Sequence, residues 1–363
     1  MQRRHLLALL AGTATLPSQA GAPPQRLGAA WRGASEDSTH HVGILAVDWA
    51  ARTLRVAGHV AVPSRPHGMV AEPGGGLLAV ALRPGRWLLR LDGQGRVVNR
   101  VDIADEPLPR RFGGHVIRSA DGRQLYTTET DTTTGRGRIG LRDARTLKKL
   151  DDWDAAGIEP HQLLLDPEGH VVVANGGLWR DRDDRKILMD RMDASLVRVD
   201  GQRGTLQGQW RLPDPRLSVR HIAWGADGSL GVALQAEHDQ ASDKAAAPAL
   251  AVWDGEALRV VPGGAGYAGD VTGVPASGGG GFVISNAMRN TAWWWHPGAP
   301  QQLTEVAQLQ RAYALTTTAS PGSGVLIAAG RGLARWHPLE PAAMMPWPQA
   351  MALDNHMITL DSA

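Results

Sequence analysis

Residues 66–82 read PHGMVAEPGGGLLAVAL, in which a polar residue opens an apolar run, a glycine turn follows, and a second apolar run begins at once. WLLRLD (87–92) adds a third apolar run that ends at Asp92, and RVV (96–98) adds a fourth. Short apolar runs separated by Gly and Asp turns predict antiparallel strands. We therefore interpret residues 66–98 as one small four-stranded sheet whose first strand begins beside His67.

The same unit recurs along the chain. The residues that open its first strand are His67, His115, His161, His221, Asp270, Tyr313 and His356, and those that end its third strand are Asp48, Asp92, Asp143, Asp200, Asp254, His296 and His337. Successive members of either set lie 41 to 60 residues apart. A four-stranded repeat of roughly 40–50 residues is typical of a β-propeller blade. The sequence therefore predicts an all-β fold, a seven-bladed β-propeller.

The two ends of the chain complement each other. After the sixth full unit only one strand remains, at 355–360, whereas three strands precede the first unit, at 27–31, 42–48 and 54–62. A last blade closed by one C-terminal and three N-terminal strands removes the free edges of an open stack. We therefore expect a single propeller domain over residues 23–363, with a sandwich of two sheets as the structural alternative.

The first 22 residues have the features of an export signal. Arg3-Arg4 precede an apolar stretch at 6–16, and Ala20-Gly-Ala22 matches a small-residue cleavage site. The paired arginines favour the twin-arginine route, with an ordinary secretory signal as the alternative. A membrane span needs roughly 20 apolar residues, which this stretch does not provide. We therefore expect a periplasmic protein without a membrane span.

Composition excludes several classes of function. Without Arg3 and Arg4 the formal net charge falls from +2 to zero, and no stripe of Lys or Arg follows, so we expect no nucleic-acid partner. The chain has no cysteine, which excludes disulfides, thiolate metal ligands, c-type haem attachment and cysteine nucleophiles. The sequence contains no G-x-S-x-G elbow, H-E-x-x-H motif or phosphate-binding loop. We therefore expect a binding protein more than an enzyme.

Propeller geometry places the seven strand-opening residues around one channel. The candidate metal ligands are His67, His115, His161, His221, His356, Asp270 and Tyr313. Imidazole nitrogen with carboxylate or phenolate oxygen suits iron, copper or zinc. The ends of the second strands bring further polar residues to the same face, to orient the imidazoles or to contact a bound cofactor or ligand: Arg83, Glu129, Asn175, Gln235, Glu237, Asn286 and Arg331. A small molecule or protein partner at this face, or a purely structural role for the strand-opening residues, stays open as an alternative.

Three insertions lie on the face that carries the ring. They are residues 130–138, 178–194 and 236–248, each between the second and third strands of a unit. In an antiparallel blade that connection lies at the same end as the start of the first strand. Long loops gathered on one face of a rigid scaffold usually carry function.

Several segments resemble one known family. They include Arg3-Arg4, HHVGILAVDW (40–49), TTETD (127–131), DRMD (190–193), ALQAEHD (233–239) and DNH (354–356). Over essentially the whole mature chain they resemble an uncharacterised family of twin-arginine-exported bacterial periplasmic β-propeller proteins. Members of that family are typically encoded beside imelysin-type iron-uptake proteins and a di-haem protein. The resemblance implies a periplasmic role in iron acquisition, with an imelysin-like or di-haem protein as partner, and supplies no catalytic residues.

The sequence thus supports three hypotheses of function. The first is a periplasmic propeller that binds a metal ion, or a metal-handling partner, through the His-lined face. The second is a propeller oxidoreductase or hydrolase with a metal in the same channel mouth. The third is an interaction scaffold without metal, which docks its partner through Trp179 and the 178–194 insertion.

Overall fold

The computed structural model describes residues 24–318 and 324–360, so the predicted signal peptide at 1–22 lies outside the described residues. Seven four-stranded antiparallel sheets and one two-stranded hairpin make up the fold. The seven sheets are the blades of a β-propeller, which confirms the prediction from the repeat.

We number the blades from the first complete unit. The N-terminal strands are β1 (Gln25–Arg32), β2 (His40–Asp48) and β3 (Thr53–Val62). Blade 1 contains β4 (Pro66–Glu72), β5 (Gly76–Ala81), β6 (Trp87–Leu91) and β7 (Val97–Asp102), and blade 2 contains β8 (Arg110–Arg118), β9 (Gln124–Asp131), β10 (Arg136–Asp143) and β11 (Lys149–Ile158). Blade 3 contains β12 (Pro160–Leu165), β13 (Val171–Asn175), β16 (Ser195–Val199) and β17 (Leu206–Trp210), with the hairpin β14 (Trp179–Arg180) and β15 (Lys186–Ile187) inserted. Blade 4 contains β18 (Leu217–Trp224), β19 (Leu230–Ala236), β20 (Leu250–Trp253) and β21 (Leu258–Val261). Blade 5 contains β22 (Asp270–Gly273), β23 (Phe282–Asn286), β24 (Thr291–Trp295) and β25 (Thr304–Gln308), and blade 6 contains β26 (Leu315–Thr317), β27 (Val325–Ala329), β28 (Gly332–His337) and β29 (Glu340–Pro346).

The ring closes with strands from both chain ends. Blade 7 has the strand order β3-β2-β1-β30, in which β30 (Ala352–Leu360) comes from the C-terminus. The innermost strands contact one another in the circular order β4, β8, β12, β18, β22, β26, β30 and back to β4. The closure predicted from the two chain ends is therefore confirmed.

The core lies between neighbouring blades. Blade 7 packs on blade 1 through Ile44, Leu77 and Trp87, all of them buried. Blades 3 and 4 share a second apolar layer around Val172 and Leu230. Each blade faces two neighbours, so its strands bury side chains on both sides and read as near-continuous apolar runs.

The predicted insertions differ from one another in structure. Residues 130–138 mostly continue β9 and β10, with only 132–135 forming a turn, so this insertion is shorter than expected. Residues 178–194 form the β14–β15 hairpin and a 3-10 turn at Met189–Arg191, and residues 236–248 contain α1 (Ala241–Ala246). Two further 3-10 turns lie at Ile103–Asp105 and Ala276–Gly278. No helix within residues 24–318 and 324–360 has the length and apolar character needed to cross a membrane.

Five of the seven innermost strands are interrupted near their start. The register shifts between Pro66 and Met69 in β4, Phe112 and Val116 in β8, Pro160 and Gln162 in β12, Val219 and Ile222 in β18, and Leu353 and Met357 in β30. Each shift contains one of the five ring histidines. Pairing of β22 with β23 and of β26 with β27 shows no shift, and Asp270 and Tyr313 belong to those two blades. Since a β-bulge re-aims a side chain, the bulges turn the five histidines out of the alternation of their strands.

Candidate metal centre

The five bulges bring five imidazoles together in the channel. His67, His115, His161, His221 and His356 are between 1% and 8% exposed. Nitrogens of His67, His115, His161 and His221 all lie within 4.8 Å of one another, and His221, His356 and Asp270 form a second such group. His221 belongs to both groups and is therefore central to the cluster, which we call the His cluster.

The imidazoles point the same ring atom inward. His161 Nε2 lies 2.8 Å from His221 Nε2 and 3.4 Å from His67 Nε2, and His356 Nε2 lies 3.0 Å from His221 Nε2. Nitrogens bound to one metal ion at about 2.0–2.1 Å are roughly 2.9 Å apart at right angles and roughly 3.4 Å apart at a tetrahedral angle. The observed separations match the edges of such a coordination polyhedron.

Close-packed glycines let the rings meet. A Cβ at Gly68 would lie 2.9 Å from His115 Nδ1, and a Cβ at Gly114 would lie 2.7 Å from His67 Cδ2. Gly114 also has a φ of +119°, a conformation that residues with a side chain rarely adopt. Each of these glycines therefore makes room for the histidine of the neighbouring blade.

Four of the imidazoles, those of His67, His115, His161 and His221, are neutral at physiological pH. Burial lowers the pKa of His67 to about 3, although Asp354 opposes that shift. Burial, and after it the charges of neighbouring imidazoles and arginines, holds the pKa of His115, His161 and His221 well below the usual value. Neutral imidazole is the form that binds a metal ion.

Hydrogen bonds alone do not satisfy the cluster. Each neutral imidazole has one N–H and one lone pair. Arg83 Nη1 donates to His161 Nδ1 at 3.3 Å, so the proton of His161 is on Nε2 and is donated to His221 Nε2. The carboxylate of Asp270, whose Oδ1 lies 3.4 Å from His356 Nδ1, draws the proton of His356 to that nitrogen. The lone pairs of His221 and His356 then face each other across 3.0 Å, a repulsion that a cation would remove.

Three further nitrogens of the cluster lack any partner among the described residues. His67 Nδ1, His115 Nε2 and His221 Nδ1 are buried and make no hydrogen bond. Burial of an unpaired polar group costs about 1–3 kcal/mol. A cluster that serves only to join strand ends would have paired these atoms. Of the three, His115 Nε2 is the same ring atom through which the other imidazoles converge, whereas His221 Nδ1 carries the proton of its ring because His221 Nε2 accepts from His161.

Carboxylates stand behind two of the rings. Asp354 Oδ1 lies 3.9 Å from His67 Nδ1 and accepts two hydrogen bonds from Arg65, at 2.6 and 2.9 Å. Burial opposes ionisation of Asp354, but the adjacent His67 ring and the hydrogen-bonded guanidinium of Arg65 bring its pKa below the usual value. Asp270 takes the same position behind His356. Carboxylates on the far ring nitrogen orient imidazole ligands and raise their basicity.

A buried ion cluster adjoins His161. Glu159 Oε1 lies 2.9 Å from Arg83 Nε, 2.7 Å from Arg180 Nε and 3.2 Å from Arg220 Nη1. Burial alone would raise the pKa of Glu159, but the three guanidinium groups lower it to about 2. Glu159 itself has a φ of +55°, an uncommon conformation for a residue with a side chain. Arg180 belongs to β14, so this ion cluster fixes the inserted hairpin beside the His cluster.

The other sequence-predicted residues lie at varying distances from the cluster. Tyr313 is half-buried just before β26 and has Arg311 stacked over its ring. Glu129 is fully buried within blade 2, where it accepts from Arg142 at 2.8 Å and Lys149 at 2.5 Å. Glu237 accepts from Lys186 of the inserted hairpin at 2.6 Å.

The remaining four do not contact the histidines. Asn175 donates to Ala155 O, and Asn286 donates to Tyr267 O, so both side chains fasten loops of the blades. Gln235 donates to Ala268 O at 3.4 Å. Arg331 is exposed in the turn between β27 and β28. Of the second-strand set, Arg83 alone contacts a ring histidine among the described residues.

Sequence reasoning missed the residues that surround the histidines most closely. Arg65, Glu159, Arg220 and Asp354 each lie one or two positions before a ring histidine. That spacing is the sequence feature that would have identified them, because a charged residue beside a strand-opening histidine stays at the same end of the channel.

An open cavity of about 460 Å³ adjoins the cluster between blades 6 and 7. Arg65 and Asp354 form part of its wall, and Asp354 is also the carboxylate behind His67. Tyr313, Arg311, Arg32 and His40 line the rest of its polar side. The cavity therefore reaches the His cluster through a single buried carboxylate.

Solved structures similar to this one are propellers of low sequence identity. A protein from Lactobacillus plantarum has a TM-score of 0.60 at 15% identity, covering 93% of this chain and all of that one. The periplasmic gluconolactonase of Pseudomonas aeruginosa has a TM-score of 0.55 at 17% identity, covering 90% of this chain and 99% of that one. Hydrazine synthase of Kuenenia stuttgartiensis has a TM-score of 0.51 at 16% identity, covering 79% of each chain. At these identities the likeness shows the fold alone.

Comparison with curated proteins gives no match. A family model described as "Protein of unknown function (DUF1513)" matches residues 60–360, which include blades 1 to 6, the closing strand β30 and all five histidines of the cluster. The chain belongs to the DUF1513 family.

Proposed function

We propose that this protein is a periplasmic metal-binding propeller that holds one transition-metal ion at the His cluster. The observation that carries the proposal is the convergence of buried Nε2 atoms at 2.8 to 3.4 Å, with the lone pairs of His221 and His356 facing each other and His115 Nε2 unpaired among the described residues. An all-nitrogen set suits zinc, copper or iron. By the Irving–Williams order the purified protein binds Cu²⁺ more tightly than Zn²⁺, and Zn²⁺ more tightly than Fe²⁺, so metal supply decides the resident ion.

The histidines do not contribute equally in this proposal. Coordination through His161 Nε2 requires its proton on Nδ1, where Arg83 donates a hydrogen bond. His221 meets both groups of candidate ligands, and no donor faces its Nδ1 among the described residues. We therefore expect His221 to be essential and His161 to contribute less.

Metal analysis and titration of the purified protein test the proposal. We expect one bound ion per chain in the wild type, loss of about 100-fold or more in affinity for His221→Ala, and a smaller loss for His161→Ala. His337→Ala is the control, because this half-buried histidine ends β28 at the opposite end of its blade. If the wild-type protein neither carries nor takes up zinc, copper or iron, the proposal fails. The remaining hypothesis is then a scaffold that docks its partner through the hairpin that begins at Trp179.

The resemblance of the sequence to imelysin-associated propellers supports the wider role that we propose, in periplasmic iron acquisition beside an imelysin-like or di-haem partner. This part is tested separately, by capture of an imelysin-type protein with immobilised wild-type propeller. Binding that persists in the metal-free protein and is lost when residues 180–187 are replaced by a short turn supports docking through the hairpin. If neither the metal-loaded nor the metal-free protein captures the imelysin-type protein, the proposed partner is refuted.

An enzyme with a metal in the channel mouth is the second candidate. The open cavity beside Asp354 supports it, and the fold is shared with a gluconolactonase. Hydrolysis of an aldonolactone by the wild type, lost in His221→Ala and kept in His337→Ala, would establish this class. Absence of turnover with metal bound would favour binding alone.

A further inference from the structure

The cavity between blades 6 and 7 has the features of a ligand site in its own right. Its volume of about 460 Å³ lies in the range of small-molecule sites, roughly 300–1,000 Å³. Ala328, Ala329, Met351 and Leu353 give its wall an apolar part, and several polar and charged residues complete the lining. A largely apolar wall with a few polar groups is the usual composition of a pocket for an organic molecule.

Positive charge dominates the polar side. Three guanidinium groups, of Arg32, Arg65 and Arg311, face the cavity, against the single carboxylate of Asp354. Arg65 binds both oxygens of that carboxylate and neutralises it. Arg32 donates a hydrogen bond to Ser35 O, and its one ion pair among the described residues is a 4.0 Å contact with the carboxylate of Glu36, which is 93% exposed. A pair this open contributes little, so two of the three positive charges stay available.

Arg311 is the best placed of these groups. Its guanidinium lies 5.8 Å from the centre of the Tyr313 ring, and within residues 24–318 and 324–360 it makes no ion pair or side-chain hydrogen bond. The Tyr313 hydroxyl is likewise without a hydrogen-bond partner among the described residues. A guanidinium fork presents donors of the kind that bind a carboxylate in bidentate fashion, and the phenol hydroxyl of Tyr313, which lines the same cavity, offers a further donor.

The geometry points to a small organic carboxylate as the ligand of this cavity, held by Arg311 and Tyr313 with its carbon skeleton against Met351 and Ala329. The apolar wall favours an organic anion over an inorganic one. This inference does not rest on the metal, because none of the residues that hold the carboxylate belongs to the His cluster. Bound there, the ligand lies beside Asp354 and thus next to the carboxylate behind His67.

Calorimetric titration of chelator-treated, metal-free protein tests the inference. Gluconate and citrate are the probes. Glucose is the control for gluconate without its charge, and inorganic phosphate is the control for an anion without a carbon skeleton. We expect binding of at least one carboxylate and none of glucose, with affinity lowered ten-fold or more in Arg311→Gln. Arg331→Gln should bind like the wild type, since Arg331 is exposed nearby but does not line the cavity.

A second variant fills the cavity without changing its charge. Ala350 is exposed at the cavity wall, so Ala350→Trp should fold normally and exclude the ligand. Three outcomes would overturn the inference: no carboxylate binding to metal-free protein, equal binding by Arg311→Gln, or phosphate binding as tight as that of the carboxylates. Carboxylate binding that occurs only in the metal-loaded protein would also overturn it, because the carboxylate would then be bound to the metal ion. That outcome would leave the proposed metal function intact.

Discussion

At the scale of single residues, Gly114 shapes the His cluster although it has no side chain that could bind a metal ion. Its hydrogen atom faces the edge of the His67 ring, where any side-chain carbon would be 2.7 Å from Cδ2. The neighbouring residue, His115, belongs to the same bulge of β8. The path of the chain through Gly114 therefore sets the positions of two imidazoles from adjacent blades.

Gly114→Ala should lower metal affinity by ten-fold or more, because the new methyl group displaces the His67 ring. The backbone strain at positive φ adds a loss of stability of about 1–3 kcal/mol. Gly74→Ala is the matched control: its φ is +80°, but nothing lies within 4 Å of the added carbon. Titration calorimetry together with thermal unfolding separates the two effects. If both variants keep the affinity of the wild type, Gly114 does not shape the cluster.

The residue scale also shows where sequence reasoning stops. Repetition located the five histidines, because blades of a propeller place equivalent positions around one axis. The bulges could not be foreseen, since an extra residue in a strand leaves no mark on the apolar pattern. Glu129 illustrates the opposite error. It lies at the expected strand end, yet Arg142 and Lys149 hold it inside blade 2, and pairing of that kind depends on residues from other strands.

At the scale of elements, two ion pairs hold the β14–β15 hairpin. Arg180 connects it to Glu159, which precedes the strand that carries His161, and Lys186 connects it to Glu237. The rest of the hairpin is largely exposed, with Ile187 on the surface. Few apolar contacts and a small number of ion pairs are features of a segment that opens locally.

Arg180→Gln should speed amide hydrogen exchange across residues 180–187 by about ten-fold, since about 1.4 kcal/mol of local stabilisation corresponds to that factor. Arg185→Gln serves as the control, because Arg185 pairs only with Asp181 and Asp183 of the same turn. Exchange measured by mass spectrometry should show protection in β12 and β13 unchanged in both variants. Equal exchange of the hairpin in the two variants would mean that Glu159 does not anchor it.

At the scale of the whole molecule, stability depends on β30. This strand pairs with β1 along its length and contacts β4 and β26 of the two neighbouring blades. Without it, β1 becomes an open edge and two interblade apolar layers lose one side. The number of blades and their closure were predictable from the sequence, because both follow from counting strands at the two ends.

A chain truncated after Met351 should unfold at a lower temperature than the wild type in the absence of metal, and should aggregate through the exposed edge. His356→Ala keeps the strand and loses only the imidazole, so its metal-free unfolding temperature should stay within a few degrees of the wild type. Added Zn²⁺ at about 100 times its dissociation constant should stabilise the wild type by about 2.7 kcal/mol and His356→Ala by less. Calorimetry that finds the truncated chain as stable as His356→Ala would contradict the closing role of β30.

The ribosome synthesises β30 last, and this order affects when the His cluster can form. His67 leaves the ribosome 289 residues ahead of His356, a delay of about 15–60 s at 5–20 residues per second. During that time the nascent chain offers isolated histidines, which compete poorly for scarce ions with chelators and other proteins. The full set of proposed ligands comes together only when β30 docks. Metal bound at the proposed site is therefore expected to distinguish molecules whose ring has closed from those whose ring has not.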